Sequence, residues 1–154
     1  RGTDPALEAG PILLSQDDEQ QLRILLEQRM SPGDYAGELY ELARNEAPDR
    51  DSERLEELIA ATIRRHGGAQ TGLRLSRPHC TRSVCTLMAR GTATTSDPRA
   101  DWQRLSASIM NQPWFREHFD DASTVVVPDA QGIAYLTFYV RCTPDACRFG
   151  TNPF

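Results

Sequence analysis

The spacing of apolar residues changes once along this chain of 154 residues, and that change limits the folds open to it. Before Gly67 and Gly68, apolar side chains recur every three or four positions, which is typical of amphipathic helices. After the two glycines, Leu73 and Leu75 alternate with polar residues, which is typical of half-buried strands. A purely helical fold and a purely β fold are therefore both excluded.

Capping and breaking residues indicate where the helices begin and end. Ser15, with Asp18 three residues later, has the form of a capping box. Ser31 followed by Pro32 is a second helix start, with Ser31 as the cap and Pro32 in the first helical position. The predicted helices span residues 15–30, 31–47, 51–66 and 98–111, and a short turn covers 113–119.

Strand patterns follow the third helix. The predicted strands span residues 73–76, 84–90, 123–127 and 133–141, and a fainter pattern covers 147–151. In the clearest of them Ala134, Leu136 and Phe138 alternate with Ile133 and Tyr135, which predicts that the two sets face opposite sides of a sheet. The order αββαββ predicts an α+β fold: an antiparallel sheet of four to five strands with helices on one face, and two N-terminal helices packed alongside.

Composition and charge divide the chain further. We predict an irregular lead-in over residues 1–14, an N-terminal helical extension over 15–50, and an α+β domain with two Cys-x4-Cys loops over 51–154. Residues 1–68 carry 15 acidic and 8 basic groups, whereas residues 69–154 carry 7 and 9. Such a weakly basic second half does not favour nucleic acid as a partner. The longest apolar runs are also too short to span a bilayer.

All 17 basic residues are arginine, and the chain has no lysine. Schiff-base chemistry, pyridoxal-phosphate chemistry and the Walker phosphate loop each need a lysine amine, so these classes are excluded. The chain also has no Gly-x-Ser-x-Gly, Gly-x-Gly-x-x-Gly or His-Glu-x-x-His motif. The sequence therefore predicts no cofactor, and a non-catalytic role is favoured.

Four cysteines form two pairs with the same spacing, Cys80 with Cys85 and Cys142 with Cys147. An even count and a position at strand ends favour two local disulfides, which would place the protein outside the cytosol. A zinc site with four cysteine ligands is an alternative, although four intervening residues lie at the edge of the usual ligand spacing. Reduced or redox-active thiols are a third reading.

Two sets of residues are candidates for binding a partner. Arg77, Arg82, Arg141 and Arg148 flank the cysteine loops, and guanidinium groups on stiff loops suit recognition of carboxylates. The alternative for the arginines is a solvated rim. An aromatic segment is the second candidate, as a docking patch or as part of the core between the fourth helix and the sheet. Its members are Trp114, Phe115 and Phe119.

The three histidines have structural interpretations. His66 lies in the last turn of a helix, where a positive charge is favourable. His79 adjoins Cys80 and is expected in an exposed turn, with a metal ligand as the alternative. His118 is expected to be a partly buried residue, since an acid/base role would require a pocket.

The second half of the chain resembles small exported proteins of Gram-negative bacteria, most of which have no assigned function. The resemblance covers roughly residues 51–141 and implies an envelope location, but no catalytic residues. The second cysteine pair and the acidic N-terminal extension depart from the pattern. The matching residues are Gly68, Cys80, Cys85, Trp102, Gly132, Tyr139 and Arg141.

Taken together, the sequence predicts a non-catalytic protein-binding factor such as an inhibitor, an immunity protein or a secretion accessory. Its partner would be another envelope protein or a secreted effector. We expect it in the periplasm or outside the cell, either free or as a lipoprotein anchored through a segment that precedes Arg1. An envelope hydrolase with an uncatalogued site and a zinc-binding module are the alternatives.

Overall fold

A computed structural model describes residues 12–66, 72–91, 97–129 and 132–142. These residues form a mixed α+β fold of five helices and six strands. The helices are α1 (Gln16–Glu27), α2 (Tyr35–Asn45), α3 (Ser52–His66), α4 (Pro98–Met110) and α5 (Pro113–His118). The strands are β1 (Ile12–Leu13), β2 (Leu73–Leu75), β3 (His79–Cys80), β4 (Val84–Gly91), β5 (Phe119–Asp129) and β6 (Gly132–Arg141).

The strands form one sheet in the order β1-β2-β4-β6-β5, and β3 pairs with β4 beside β2. Five strands are linked by antiparallel pairing, while the two-residue β1 adds to β2 in parallel. The predicted α+β class, the αββαββ order and the antiparallel sheet are confirmed. Ile12 and Leu13, which were expected in the irregular lead-in, form β1 because the outer edge of β2 is open to them.

One face of the sheet packs against α3 and α4, as predicted. Cys85, Leu87 and Ala89 of β4 face this side together with Tyr135 and Tyr139 of β6. These side chains pack against a stripe of apolar residues on the helices. Residues two apart share a face of a strand, and residues three or four apart share a face of a helix, so both sets are buried in the same interface. The stripe consists of Leu55, Ile59, Ile63, Trp102, Leu105 and Ile109.

The opposite face of the same strands packs against α1 and α2. Met88, Leu136 and Phe138 lie in one buried cluster with Leu22 and Leu26 of α1. The N-terminal helices, expected only to pack alongside, therefore cover the second face. Both faces are covered because the two sets of apolar residues in β6 need separate partners.

Of the two predicted serine caps, Ser15 and Ser31, the first is right and the second is wrong. Ser15 caps α1, since its Oγ accepts a hydrogen bond of 3.1 Å from the Asp18 amide. Ser31 does not cap α2: it begins a turn closed by the Asp34 amide, and the helix starts at Tyr35. The turn folds back onto the helix so closely that a Cβ on Gly37 would lie 1.9 Å from the Ser31 carbonyl oxygen.

The first predicted strand, residues 73–76, ends at Leu75, and a further two-residue strand that was not predicted, β3, follows Pro78. Proline cannot donate to a ladder, so β2 ends and β3 begins on either side of it. The Ser76 hydroxyl accepts from the Met88 amide at 2.8 Å and holds the interrupted segment on β4.

β5 is longer than the predicted strand of residues 123–127. Asp and Pro depress strand propensity, but an edge strand tolerates both because one of its sides needs no ladder partner. It meets β6 in a hairpin whose second strand starts at Gly132 with φ 134°, a conformation that favours glycine. The fainter strand pattern over 147–151 lies outside the described residues.

Candidate functional site

The first cysteine pair forms a disulfide. Cys80 and Cys85 lie opposite each other in the β3–β4 ladder, with an S–S distance of 2.09 Å and a Cα–Cα distance of 4.0 Å. This is the local pairing that the spacing predicts for these two cysteines, and in it both sulfurs bond each other. Cys142 is disulfide-bonded as well, and Cys147, the partner predicted for it, lies outside the described residues.

Removing the Cys80–Cys85 bond is expected to have a moderate effect. The loop it closes is short, so the bond constrains the unfolded chain modestly, and Cys80→Ala/Cys85→Ala is expected to lower the free energy of unfolding by about 2 kcal/mol. Alanine is chosen because both sites are fully buried. Urea denaturation with and without reductant measures the loss. An unchanged midpoint would contradict the prediction.

The segment enclosed by this disulfide, residues 81–84, is called the Cys80–Cys85 loop. Glu46, which follows α2, holds it from the side: one carboxylate oxygen accepts from the Ser83 amide at 2.8 Å and from the Thr81 hydroxyl at 3.0 Å. The other oxygen accepts from Ser83 Oγ at 2.6 Å. The Arg82 amide donates to the Ala47 carbonyl at 3.2 Å. The loop is thus fastened to the connection between α2 and α3.

A second carboxylate acts on the same loop through Arg141. The Arg141 guanidinium donates to both oxygens of Asp49 at 2.9 and 3.1 Å, and to the Thr81 carbonyl. The Arg141 side chain is only 9% exposed, compared with 33% for Asp49. Ser52, at the start of α3, donates to Asp49 at 2.9 Å. Arg141 therefore holds the fold together, which corrects its placement among the partner-binding residues.

The environment of both carboxylates favours their charged forms. Burial raises the pKa of Glu46, but the hydrogen bonds from Ser83 and Thr81 and the nearby Arg82 charge outweigh it and hold the pKa below its usual range. Burial likewise raises the pKa of Asp49, and the contacts with Arg141 and Ser52 reverse the effect. Both groups are therefore charged acceptors at neutral pH.

The lowered pKa of Glu46 predicts that its contribution to stability depends on pH. Because the folded-state pKa of Glu46 lies below its unfolded value of about 4.3, its stabilisation is complete above that value and is lost as pH falls through the folded pKa. Glu46→Gln is expected to cost about 1 kcal/mol at pH 7 and less at pH 3. Denaturation of both proteins at the two pH values measures the difference. A cost that is equal at pH 7 and pH 3 would show that ionisation of Glu46 does not matter.

Of the other predicted arginines, Arg77 precedes the Cys80–Cys85 loop and Arg82 lies within it. Arg77 and Arg82 are exposed, and Arg82 is close enough to Glu46 to act on its pKa. Arg77 lies in the segment between β2 and β3, and among the described residues its guanidinium has no ion-pair partner. Arg148 lies outside the described residues.

The predicted aromatic patch is largely core. Phe115 is 4% exposed and Phe119 is fully buried. Their rings stack with centroids 4.9 Å apart, and both contact Tyr139 edge-on. Phe115 is therefore not available to a partner, which corrects the docking-patch prediction, and only Trp114 keeps intermediate exposure.

A groove of about 760 Å³ lies between the exposed sides of α1 and α2 and the segment that joins β2 to β3. Arg77 and His79 lie at its rim, and Met88 and Leu136 form part of its floor. Tyr40 donates to Glu27 inside it. Burial, reinforced by the hydrogen bond to Glu27, raises the pKa of the Tyr40 hydroxyl, so this hydroxyl is a donor and not a base at neutral pH.

The histidines form no metal site in the part of the chain that the structure describes, where no cluster of three or more His, Cys, Asp or Glu could hold an ion. His79 is exposed, with Nδ1 3.9 Å from a Glu56 oxygen that also accepts from the Cys80 amide at 2.8 Å. The His118 carbonyl accepts from the Cys142 amide. His66 is exposed in the last turn of α3.

Comparison with known proteins identifies no family for this chain. No protein-family model matches it, and neither the curated proteins nor the solved structures contain a match. None of the described helices is both long enough and apolar enough to cross a membrane.

Proposed function

We propose that the protein is a non-catalytic binding factor that acts outside the cytosol, in the periplasm or the extracellular space, and recognises a carboxylate-bearing surface of another protein. The observation that carries the proposal is the arrangement around the Cys80–Cys85 loop. Arg82 is exposed within a loop held by a disulfide and by two carboxylates, and Arg77 is exposed just before that loop.

Rigidity is what makes this surface suitable for binding. A loop that is already ordered loses little conformational entropy when it meets a partner, so more of the contact energy appears as affinity. Arginine contributes geometric specificity, because its planar guanidinium forms paired hydrogen bonds with a carboxylate. The groove beside Arg77 offers space for a partner side chain next to that contact.

The disulfide supports the extracytoplasmic part of the proposal. Structural disulfides persist in oxidising compartments and are uncommon in the cytosol of mesophiles. The Cys80–Cys85 bond and the absence of a membrane-spanning helix among the described residues are compatible with this location. Mass spectrometry of protein from the source organism, alkylated before reduction, would find both cysteines unmodified if the bond exists there.

The experiment that tests the binding role uses charge reversal with a matched control. Tagged wild type, Arg77→Glu/Arg82→Glu and Arg54→Glu are compared in affinity purification from the native envelope, followed by quantitative mass spectrometry. Arg54 is exposed on α3 and serves as the control. We expect one protein to be retained by wild type and the control and depleted at least tenfold by the double variant. Retention that is equal in all three would overturn the proposed surface.

A further inference from the structure

A second candidate binding surface, separate from the Cys80–Cys85 loop, is the edge of the sheet formed by β5. β5 ends the strand order, and among the described residues its ladder partner is β6 alone. An edge strand has one row of backbone N–H and C=O groups directed away from its neighbour, and that row can pair with an added strand.

The middle of β5 lacks the features that usually protect an edge. The ladder irregularity lies at its start, between Phe119 and Asp121, and Pro128 lies near its end. Between them residues 122–127 carry no charge, no proline and no glycine, and three consecutive valines give high strand propensity. The segment that can accept a new strand is therefore about six residues long.

A trough runs along the same edge and would receive the side chains of an added strand. Its volume is about 710 Å³, and it lies between α4 and the β5–β6 hairpin. Val126 is 46% exposed and Met110 is 40% exposed, while Trp102 and Tyr135 stack behind them with centroids 5.2 Å apart. Polar residues, among them Arg99 and Thr124, complete the lining. This combination of an open edge and a partly apolar trough matches strand addition, in which alternate side chains enter pockets.

Charge indicates what kind of strand fits. β5 carries Asp120, Asp121 and Asp129 and no basic residue. If two copies of β5 paired antiparallel about Val125, Asp121 of one copy would lie opposite Asp129 of the other. Like charges in directly opposed positions are destabilising, which disfavours a second copy.

We propose that the edge of β5 binds, by strand addition, an extended segment of another protein that has apolar residues at alternate positions and a basic residue at each end. The apolar side chains on one side of the segment enter the trough beside Val126 and Met110. The basic residues lie near the aspartates at the two ends of β5. This surface is separate from the Cys80–Cys85 loop, so it does not depend on the role proposed for that loop.

Synthetic peptides and NMR spectroscopy test this proposal on the full chain. The probes alternate Val or Ile with Thr between terminal arginines, and the control peptides carry the same cores between terminal aspartates. We expect the basic peptides to shift amide resonances of residues 122–127 and to bind at least tenfold more tightly than the acidic ones. Failure of every basic peptide at millimolar concentration, or equal binding of the two sets, would overturn the proposal.

Substitutions locate the binding. Val126→Arg places a positive charge in the trough and is expected to weaken peptide binding at least tenfold. Ile24→Arg is the control: Ile24 is also a β-branched aliphatic residue, lies on α1 and is 48% exposed. This substitution is expected to leave peptide binding unchanged. Analytical ultracentrifugation accompanies both variants. Concentration-dependent dimerisation of wild type that Val126→Arg abolishes would show that a second copy occupies the edge, contrary to the proposal.

Discussion

Leu26→Ala is expected to lower the free energy of unfolding by about 2–5 kcal/mol, the usual cost of removing a large side chain from a packed core. Leu26 is fully buried in the cluster that joins α1 to Leu136 and Phe138 of β6. Shortening it removes apolar contact and leaves a cavity that neighbouring strands, fixed by their ladders, fill only in part.

Ile24→Ala is the matched control for Leu26→Ala. Ile24 lies on the same helix, two residues away, but it is 48% exposed. We expect a change below about 1 kcal/mol, because the shortened side chain leaves no buried cavity. Equal losses for the two variants in urea denaturation would contradict the packing of α1 on the second face of the sheet.

Arg141→Met is expected to cost about 2–4 kcal/mol. The substitution keeps the aliphatic stem but removes the guanidinium from Asp49 and from the Thr81 carbonyl, leaving the Asp49 carboxylate without its ion-pair partner and the Thr81 carbonyl without the Arg141 donor. The value lies below that of a fully buried pair because Asp49 is 33% exposed.

The control for Arg141 is Arg64→Met. Arg64 pairs with Glu57 at 3.0 Å, but both side chains are largely exposed, and such pairs contribute little. We expect a change within about 0.5 kcal/mol. Chemical denaturation of the two variants measures the free energy of unfolding that each substitution costs. If Arg141→Met were as mild as Arg64→Met, the ion pair of Arg141 with Asp49 would not hold the loop.

Local patterns were enough to predict much of the fold. The alternation in residues 133–141 assigns Leu136 and Tyr135 to opposite faces, and the structure places them in separate clusters. Ser15 was recognisable as a cap because its acceptor and the Asp18 amide are three residues apart. Strand alternation and helix capping are both set by residues within a few positions of each other, so the sequence alone reveals them.

The network around the Cys80–Cys85 loop could not be predicted in the same way. Arg141 meets Asp49 across 92 residues and Glu46 meets Ser83 across 37, so no local spacing connects them. By its position beside a cysteine loop, Arg141 resembles Arg77 in the sequence, although the Arg141 side chain is only 9% exposed and Arg77 is exposed. The one available signal was the position of Arg141 at the end of a strongly alternating strand.

Site-resolved amide hydrogen exchange tests the central claim most directly, namely that the Cys80–Cys85 loop is held in one conformation. The amides of Thr81, Arg82 and Ser83 donate to Val84, Ala47 and Glu46 respectively. We predict that all three exchange orders of magnitude more slowly than in an unstructured peptide, and that Glu46→Gln accelerates Ser83 most. Exchange of these amides at the rate of an unstructured peptide would contradict the account.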